Sequence, residues 1–289
     1  MNRPTSPRVL IIGCGDVGNA LGLKLLQQGA SVWGMRRDCS RLAPGIVPLE
    51  GDFNDPACWH SLPDSLDYLV FTAAASERSD QGYKHTYVDG VAAMVRAASS
   101  QPTPPRRLLF TSSTAVYHQG AGEWVDETSA TQPRAFNGQR MLEAEARLAA
   151  APMASTSVRF SGIYGPGRER LIQRVKAGRG CEYQPAPITN RIHRDDCAGV
   201  LAHLIALDWQ GSEVAPLYVA SDSEPCAMDE VLDWLAGQLG IELSSPEPQP
   251  CNIPSKRCSN RRLLETGYPF IFPDFRAGYG ALLAARPES

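Results

Sequence analysis

The sequence predicts an α/β fold in which about seven strands form a doubly wound parallel sheet, followed by a small C-terminal α/β lobe. Two observations support this prediction. Short apolar runs typical of buried strands alternate with segments of helical periodicity, and a glycine-rich turn joins the first strand to the first helix. At 289 residues, the chain is long enough for one large domain that carries a smaller lobe.

The strands and helices follow one another in a regular order. The apolar runs that predict strands are VLII, SVWGM, IVPLEGDF, LDYLVFTAAA, RRLLFTSST, TSVRFSGIYG and EVAPLYVASD. Helical spacing predicts helices over Asp16 to Gln28, Gln81 to Ser100, Phe136 to Ala150 and Arg194 to Ala206. Because crossovers between parallel strands are right-handed, this alternation predicts a doubly wound sheet with ligands at the carboxyl ends of its strands.

The second lobe is predicted from a change in composition after Gly165. Segments rich in Pro, Gly and Arg interrupt the alternation there, and the tail contains one amphipathic helix, Met228 to Leu239. Residues 1–165 and 191–222 are therefore predicted to form the dinucleotide-binding core. Residues 166–190 and 223–289 are predicted to form the substrate-binding lobe.

The composition is that of an ordinary globular protein, with 43% apolar residues, 20% charged residues and a net charge of −3. This balance gives no electrostatic reason to expect nucleic acid or a membrane surface as a partner. No apolar run reaches the roughly 20 residues of a membrane span, and the first residues lack the apolar segment of a signal peptide. Eight scattered cysteines without a C-x-x-C pair predict reduced thiols, a cytoplasmic location and no metal site.

The turn GCGDVG has the spacing of a dinucleotide-binding turn, and it lies between a predicted strand and a predicted helix. Gly13 permits the tight turn, Gly15 lets a pyrophosphate approach the backbone, and Gly18 lets the helix pack on the sheet. Asp16 and Val17 begin the helix, whose N-terminus attracts the phosphates. The sequence therefore predicts a Rossmann-type cofactor site.

The end of the second strand favours NADP over NAD. Turns that prefer NAD place an acidic residue there to bond the ribose, whereas this chain has Arg36 and Arg37. Arginines bind a 2′-phosphate and stack on adenine. They also argue against S-adenosylmethionine, which has no 2′-phosphate. Asp52 and Phe53, after the third strand, are predicted to contact adenine by a hydrogen bond and by packing.

Several segments, in order, resemble the extended short-chain dehydrogenase/reductase family, the NAD-dependent epimerases/dehydratases that act on nucleotide sugars. They are GCGDVG, GDFND, TAAA, FTSSTAVY, RFSGIYGPGR and RIHRDDCA. The resemblance implies an oxidoreductase with NAD(P) as cofactor and a homodimer. It also implies that the cofactor contacts Thr72, Ala73, Ala74, Ser112 and Ile163.

The same resemblance implies a Ser/Thr at the end of the fifth strand, here Ser113, and a Tyr-x-x-x-Lys on the next helix. In the family, the Tyr is the general acid/base, and the Lys binds the nicotinamide ribose and lowers the pKa of the Tyr. One register places Phe136 and Arg140 at these two positions, and the other places Asn137 and Met141 there. Neither register contains the tyrosine.

The candidate catalytic residues are therefore Ser113, Tyr117 and Arg140, with Arg140 in the ribose-binding role of the Lys. A pocket-shaping role for Tyr117 is the alternative, and His118 is a second candidate proton carrier. Because no tyrosine occupies the expected position, two functions stay open. One is an enzyme that acts by hydride transfer, and the other is a non-catalytic sensor of NADP(H).

The predicted substrate site is basic. Arg168, Arg174, Arg191 and Arg194, with Lys176, are expected to lie around the junction of the two lobes, where guanidinium groups would bind a diphosphate. Arg168, Arg191 and His193 are the residues predicted to contact the substrate. A loop-organising role for His193 is the alternative. Asp196 is predicted to cap or orient the helix that follows it.

Overall fold

The computed structural model describes residues 6–244, 247, 249–251 and 253–285. Seven strands form one parallel sheet in the order β12-β7-β5-β4-β1-β2-β3. Their bounds are β1 Arg8–Ile12, β2 Ser31–Arg36, β3 Val47–Glu50, β4 Tyr68–Phe71, β5 Arg107–Ser113, β7 Ala154–Phe160 and β12 Leu217–Ala220. β6, Ala121–Val125, lies outside this sheet. The order reverses beside β1, as in doubly wound folds, so the predicted fold class is confirmed.

β1 lies inside the sheet, between β4 and β2, and its sequence is apolar. Val9, Leu10, Ile11 and Ile12 are fully buried, as expected for a strand covered on both faces. Ile12 pairs with Met35 of β2 on one side and with Phe71 of β4 on the other. The carboxyl ends of β4, β1 and β2 are therefore level with one another.

The helices that were predicted begin close to their expected positions. The helices in the described residues are α1 Asp16–Gln27, α2 Asp80–Tyr83, α3 Gly90–Ser99, α4 Phe136–Ala149, α5 Arg170–Lys176, α6 Arg194–Gln210, α7 Met228–Leu239, α8 Arg261–Glu265 and α9 Phe275–Ala284. Gly29, at a φ of +84°, follows the end of α1 as predicted. α5, α8 and α9 were not predicted.

The helix predicted over 81–100 is interrupted by a π-helical segment, Lys84–Asp89, between α2 and α3. Gly90 follows this segment at a point of close packing. A Cβ atom on Gly90 would lie 2.7 Å from Phe71 and 2.8 Å from Phe53. Only glycine fits at this position, directly after the π-helical segment.

The smaller strands form pairs that periodicity does not reveal. They are β8 Gly162–Tyr164, β9 Tyr183–Gln184, β10 Ile188–Thr189, β11 Arg191–His193, β13 Cys226–Ala227, β14 Gln249–Pro250 and β15 Ser255–Cys258. β6 pairs in parallel with β15, over 130 residues later in sequence, so that Val125 lies beside Cys258. β8 and β11 also pair in parallel.

The chain divides into two compact units. The first comprises Met1–Val116, Thr131–Arg159 and Cys197–Tyr218, and the second comprises Tyr117–Ala130, Phe160–Asp196 and Val219–Ser289. These bounds differ from those of the predicted lobes, since the pairing of β6 with β15 brings Tyr117–Ala130 into the second unit. The second unit has its own apolar core, in which α5, α7 and α9 contribute residues such as Ile172, Leu235 and Phe275.

Within the part of the chain that the structure describes, no helix has both the length and the apolar character needed to cross a membrane. All eight cysteines lie in the described residues and are free thiols, and Cys14, Cys197, Cys226 and Cys258 are buried.

Candidate functional site

The glycine turn between β1 and α1 is held by the end of β2. The backbone N–H groups of Gly13 and Cys14 both donate to the carbonyl oxygen of Met35, at 2.9 and 3.0 Å. Gly13 has a φ of +72°, which residues with a Cβ atom disfavour. A Cβ at this position would lie 2.3 Å from the Cβ of Ala73. Only glycine fits at this point of the turn.

The space in front of Gly15 is open. A Cβ atom on Gly15 would meet only the carbonyl oxygen of Gly13, at 3.8 Å. Gly15 is the residue that directly precedes α1, and because it has no side chain it makes no side-chain hydrogen bond to the start of that helix. Asp16 lies in the first turn and Val17 is buried. Helix N-termini attract anions, so the start of α1 suits a phosphate group.

Gly18 brings α1 close to the sheet. A Cβ atom there would lie 2.9 Å from Oγ1 of Thr72 and 3.1 Å from Cγ2 of Ile11. The Thr72 hydroxyl donates to the carbonyl oxygen of Gly13 at 3.1 Å. Ala73 is buried against the turn, whereas Ala74 is exposed. Thr72, Ala73 and the glycine turn thus form one rigid group at the ends of β1 and β4.

Arg36, the last residue of β2, is fixed to the glycine turn. Its Nη1 donates to the carbonyl oxygen of Cys14 at 3.0 Å, and a guanidinium group has five N–H donors in all. Within the described residues, Arg36 has no further hydrogen-bond acceptor for the other four. Arg37 is exposed.

Asp38 follows the arginine pair and caps a short 3₁₀ helix, Cys39–Arg41. One oxygen of its carboxylate accepts the backbone N–H of Ser40 at 2.9 Å. Hydrogen bonds from Ser40 hold the pKa of Asp38 below its usual value. The first acidic side chain after β2 is therefore engaged in a local turn.

Asp52 and Phe53 lie after β3 and contact the protein itself. Asp52 accepts the backbone N–H of Asn54 at 2.9 Å. The ring of Phe53 packs edge-on against Phe71, with ring centres 5.2 Å apart. Their predicted contacts with adenine remain predictions.

The end of β5 is joined to α4 by a hydrogen bond to Glu145, which also forms a buried ion pair with Arg159 of β7. The Ser112 hydroxyl donates to Oε1 of Glu145 at 2.5 Å, and Arg159 donates to both oxygens of Glu145 at 2.9 and 2.7 Å. The Ser113 hydroxyl accepts the backbone N–H of Ala115 at 3.1 Å. Ser112 is therefore occupied in the interior, and Ser113 lies half-buried at the strand end.

Arg140 of α4 forms ion pairs that the sequence did not indicate. Its Nε and Nη2 donate to the two oxygens of Asp80 at 2.7 and 2.8 Å, and its Nη1 donates to Glu143 at 2.8 Å. These contacts raise the pKa of Arg140 above its ordinary value. Met141 is buried. The predicted ribose contact of Arg140 would have to be made alongside these carboxylates.

Tyr83, at the end of α2, contacts Phe136, which is one of the two positions where the resemblance placed the family tyrosine. Its ring lies edge-on to Phe136, with ring centres 5.4 Å apart, and Phe136 is 36% exposed. Among the described residues, the Tyr83 hydroxyl has no hydrogen-bond partner. The sequence offered no signal for this residue, because it comes from a different helix from the one that resembles the motif.

Tyr117, a candidate catalytic residue, lies in the second unit. It is buried, and its hydroxyl donates to the carbonyl oxygen of Asp126 at 2.7 Å. His118, next to it, is exposed. This geometry favours the pocket-shaping alternative for Tyr117 over proton transfer.

The second unit contains a cavity of about 390 Å³, a volume typical of small-molecule sites. The lining residues include Arg168 and Arg191 of the predicted substrate site, Ile163, which was predicted to contact the cofactor, and Arg174. Sequence reasoning missed two further lining arginines, Arg170 and Arg179. The signal was present, since both belong to the arginine-rich segment GPGRERLIQRVKAGRG.

Two polar residues of the predicted substrate site are buried. Arg191 donates from Nη1 to the Cys226 sulfur at 3.1 Å and from Nη2 to the Thr189 hydroxyl, and it lies over the Phe275 ring. His193 is 2% exposed, and its Nδ1 accepts the backbone N–H of Asp195 at 3.1 Å. His193 therefore has the contacts of a loop-organising residue.

Asp222, at the end of β12, was not predicted as a site residue. It is fully buried, and among the described residues neither oxygen of its carboxylate has a well-formed hydrogen bond. Burial raises its pKa to about 8, against an opposing effect of the Arg191 charge. The backbone N–H of Asp222 donates to the carbonyl oxygen of Arg191 at 2.7 Å.

Asp196 was expected to cap or orient the helix after it. It is not the residue that precedes the helix, because it lies in the first turn of α6, which begins at Arg194. Its carboxylate accepts the Tyr268 hydroxyl at 2.8 Å and the backbone N–H groups of Ile271 and Phe272 at 2.8 and 3.0 Å. Asp196 holds the C-terminal tail, because a buried carboxylate takes the donors that a distant loop offers. Arg194, expected near the substrate, donates to Asp195 at 2.9 Å.

No group of three or more His, Cys, Asp or Glu side chains in the described part of the chain is arranged to hold a metal ion.

Comparison with known proteins agrees with this fold. The sequence pattern of the NAD dependent epimerase/dehydratase family matches residues 9–198. Among solved structures, a Methylobacillus flagellatus protein assigned to the NAD-dependent epimerases/dehydratases is 39% identical and has a TM-score of 0.84. The match covers 97% of this chain and 99% of that protein.

Two more distant structures share the fold. Bordetella bronchiseptica WbmG, in complex with NAD and UDP, is 22% identical with a TM-score of 0.78, and the match covers 97% of this chain and 94% of that one. Human epimerase family protein SDR39U1 (isoform 2), with NADPH, is 20% identical with a TM-score of 0.79, over 96% and 100% of the two chains. No curated protein sequence gives a significant match.

Proposed function

The chain belongs to the NAD-dependent epimerase/dehydratase family, and on that premise we propose that it is an oxidoreductase that binds a nicotinamide dinucleotide, with a preference for NADP. The proposed reaction is hydride transfer at a hydroxyl-bearing carbon of a nucleotide-sugar-like substrate. The observation that carries this proposal is the open space in front of Gly15 at the start of α1.

The glycine turn fits the pyrophosphate of a dinucleotide. Side chains are excluded at Gly13 by Ala73 and at Gly18 by Thr72, whereas the side of Gly15 stays open. Backbone N–H groups at the start of α1 would hold the phosphates. When bound, the nicotinamide supplies or accepts the hydride. Cofactor choice, substrate binding and proton transfer depend on the residues of this chain.

The preference for NADP rests on the end of β2. Arg36 is held at the turn by its bond to Cys14, and Arg37 is exposed beside it. Both would bind a 2′-phosphate, because guanidinium groups pair with phosphate through two parallel hydrogen bonds. Asp38, which could otherwise bond the ribose hydroxyls of NAD, is engaged with Ser40.

The substrate class rests on the cavity of the second unit. Its lining arginines suit the two phosphates of a nucleoside diphosphate. Arg168 and Arg191 are the residues that we propose to bind them. WbmG, which shares the fold, is known in complex with NAD and UDP.

Proton transfer is the step for which this chain lacks the usual residue. We propose Ser113 as the group that positions the substrate hydroxyl and Tyr83 as the proton carrier. Tyr83 supplies a phenol beside Phe136, and no described residue bonds its hydroxyl. Arg140 would act mainly as the partner of Asp80 on α2.

A second candidate function is a non-catalytic sensor of NADP(H), and the observation that favours it is the same Phe136 or Asn137. One experiment separates the two candidates. Purified protein is titrated with NADPH and NADH by calorimetry, and it is then incubated with NADP and a panel of nucleotide sugars while products are followed by mass spectrometry.

For the enzyme we expect NADPH to bind roughly tenfold more tightly than NADH, together with turnover of at least one nucleotide sugar. Tight NADPH binding without any product over the whole panel would establish the sensor instead. Absence of cofactor binding would refute both candidates.

We further propose a cytoplasmic protein that forms a homodimer through two helices of each subunit, one of them α4. The free thiols of all eight cysteines support a reducing compartment. Light scattering after gel filtration measures the oligomeric state, and a monomeric mass would refute the dimer.

A further inference from the structure

The cavity of the second unit carries more positive charge than a diphosphate needs. Five arginines line it, namely Arg168, Arg170, Arg174, Arg179 and Arg191, and the lining includes no Asp, Glu or Lys. The two phosphates of a nucleoside diphosphate sugar carry one negative charge each. The arginines differ in what they already bind, and this difference separates their roles.

Arg174 is a structural arginine. Its Nη2 donates to the carbonyl oxygen of Gly180 at 2.5 Å, and its Nε donates to that of Arg179 at 3.4 Å. Its guanidinium also lies 3.9 Å from the Glu182 carboxylate. Arg174 therefore fixes the loop after α5 and contributes little free charge to the cavity.

Arg191 lies at the buried side of the cavity and is 4% exposed. Its two Nη atoms donate to Cys226 and Thr189, which are both uncharged. Asp222 lies near it, but no ion pair joins the two side chains in the described residues. Burial keeps the Asp222 carboxyl protonated at neutral pH, since it raises its pKa to about 8. Arg191 thus keeps its full charge for a ligand.

Arg170 and Arg179 are exposed and line the same cavity. Within the described part of the chain, neither side chain forms an ion pair or a hydrogen bond. Arg170 is the first residue of α5, and Arg179 follows the end of that helix. The charges of Arg170 and Arg179 repel each other and that of Arg191, because all three line one cavity. An anionic ligand would offset this repulsion.

Given the proposed function, we infer that the substrate is a nucleoside diphosphate sugar with a third anionic group, a carboxylate on the sugar, bound by Arg170 and Arg179. Arg168 and Arg191 then serve the two phosphates. A planar carboxylate accepts two parallel hydrogen bonds from a guanidinium group, so either arginine has the right geometry for it. The enzyme would thus prefer a uronic acid to the neutral sugar.

Two matched pairs of ligands test this inference by calorimetry at low ionic strength. They are UDP-glucuronic acid against UDP-glucose, and GDP-mannuronic acid against GDP-mannose. Within each pair, only a carboxylate replaces a hydroxymethyl group, whereas the two pairs differ in both the base and the sugar. The proteins compared are the full chain and its variants Arg170→Gln and Arg179→Gln. Arg147→Gln, an exposed arginine of α4 outside the cavity, is the control.

We expect the acid to bind roughly tenfold more tightly than the neutral sugar in at least one pair. Arg170→Gln and Arg179→Gln should each remove most of this preference while the affinity for the neutral sugar changes less than about twofold. Arg147→Gln should leave the preference intact.

Equal affinities for acid and neutral sugar in every pair whose neutral sugar binds would overturn the inference and leave the proposed substrate class standing. A preference that survives in both cavity variants would overturn the roles of Arg170 and Arg179. No binding of any of the four ligands would refute the proposed nucleotide-sugar class itself, and the inference with it.

Discussion

The guanidinium of Arg36 donates a hydrogen bond of 3.0 Å to the carbonyl oxygen of Cys14, in the middle of the glycine turn. The residue that is expected to select the cofactor is therefore fixed to the element that is expected to hold its phosphates. Affinity for the phosphates and choice between NADP and NAD should depend on the same local structure.

Replacement of Arg36 by Gln should weaken NADPH binding by roughly tenfold or more, about 1.4 kcal/mol, because one charged contact with the 2′-phosphate is lost. NADH affinity should change less than about twofold, since NADH lacks that phosphate. Calorimetric titration with both cofactors measures the two effects. An equal loss of affinity for NADH and NADPH would mean that Arg36 only supports the turn.

The glycines of the turn should separate folding from binding. Gly13→Ala places a Cβ atom 2.3 Å from Ala73 at a φ of +72°, so we expect a loss of about 2 to 4 kcal/mol in unfolding free energy. Gly15→Ala meets only the carbonyl oxygen of Gly13, at 3.8 Å, and should cost less than about 1 kcal/mol. Denaturant unfolding gives both values.

Cofactor affinity should be lost in the variant that keeps its stability. Gly15→Ala should remain folded and lose most of its NADPH affinity, because the new methyl group fills the open side of the turn. If folded Gly15→Ala bound NADPH as the parent protein does, the phosphates would have to lie elsewhere.

Asp222 should make the stability of the protein fall with rising pH. In the unfolded chain its carboxyl ionises near its ordinary pKa of 3.8, whereas in the fold it keeps its proton up to about pH 8. Between these values the folded state binds more protons, so its stability falls as pH rises, and the loss is complete above about pH 8. Glu224 and Asp274 act in the same direction, and Arg191 opposes them.

Asp222→Asn removes this titration. The unfolding free energy of the variant minus that of the parent should therefore rise between pH 5 and pH 8 by about 2 to 5 kcal/mol. Urea unfolding at the two pH values measures this difference, and the constant cost of a buried amide cancels from it. A difference that does not change with pH would show that Asp222 has an ordinary pKa.

Tyr83→Phe should abolish most of the turnover once a substrate is known. Removal of a general acid/base lowers kcat by roughly 10²- to 10⁴-fold, and the ring contact with Phe136 is retained. NADPH affinity and thermal stability should not change.

Tyr218→Phe is a suitable control for this prediction. Its hydroxyl accepts the backbone N–H of Ala215 at 2.9 Å, so this variant loses a phenol that has a structural partner. Full turnover in Tyr83→Phe would exclude Tyr83 as the proton carrier.

The strands and long helices could be predicted from sequence because their signals are local. Val9 to Ile12 form an apolar run, and α4 and α7 show helical periodicity with bounds within one residue of the prediction. The glycine turn was equally local, since Gly13, Gly15 and Gly18 each act within one strand-turn-helix unit.

Features that depend on distant partners could not be predicted. Arg140 binds Asp80, 60 residues earlier, so its ribose role was inferred without its main contact. Asp196 binds the backbone around Ile271, 75 residues later. Periodicity and motif spacing contain no information about either pairing, and the same holds for β6 and β15.

The π-helical segment Lys84–Asp89 determines which way α2 faces. A π turn holds about one residue more than an α turn, and each residue advances a helix by about 100°. Deletion of a single residue from this segment would rotate Asp80 and Tyr83 away from Arg140 and Phe136 together. The ion pair of Asp80 with Arg140 and the ring contact of Tyr83 with Phe136 thus both depend on the number of residues in this segment, more than on their chemical identity. A relative with a shorter segment should carry different partners at both positions of α4.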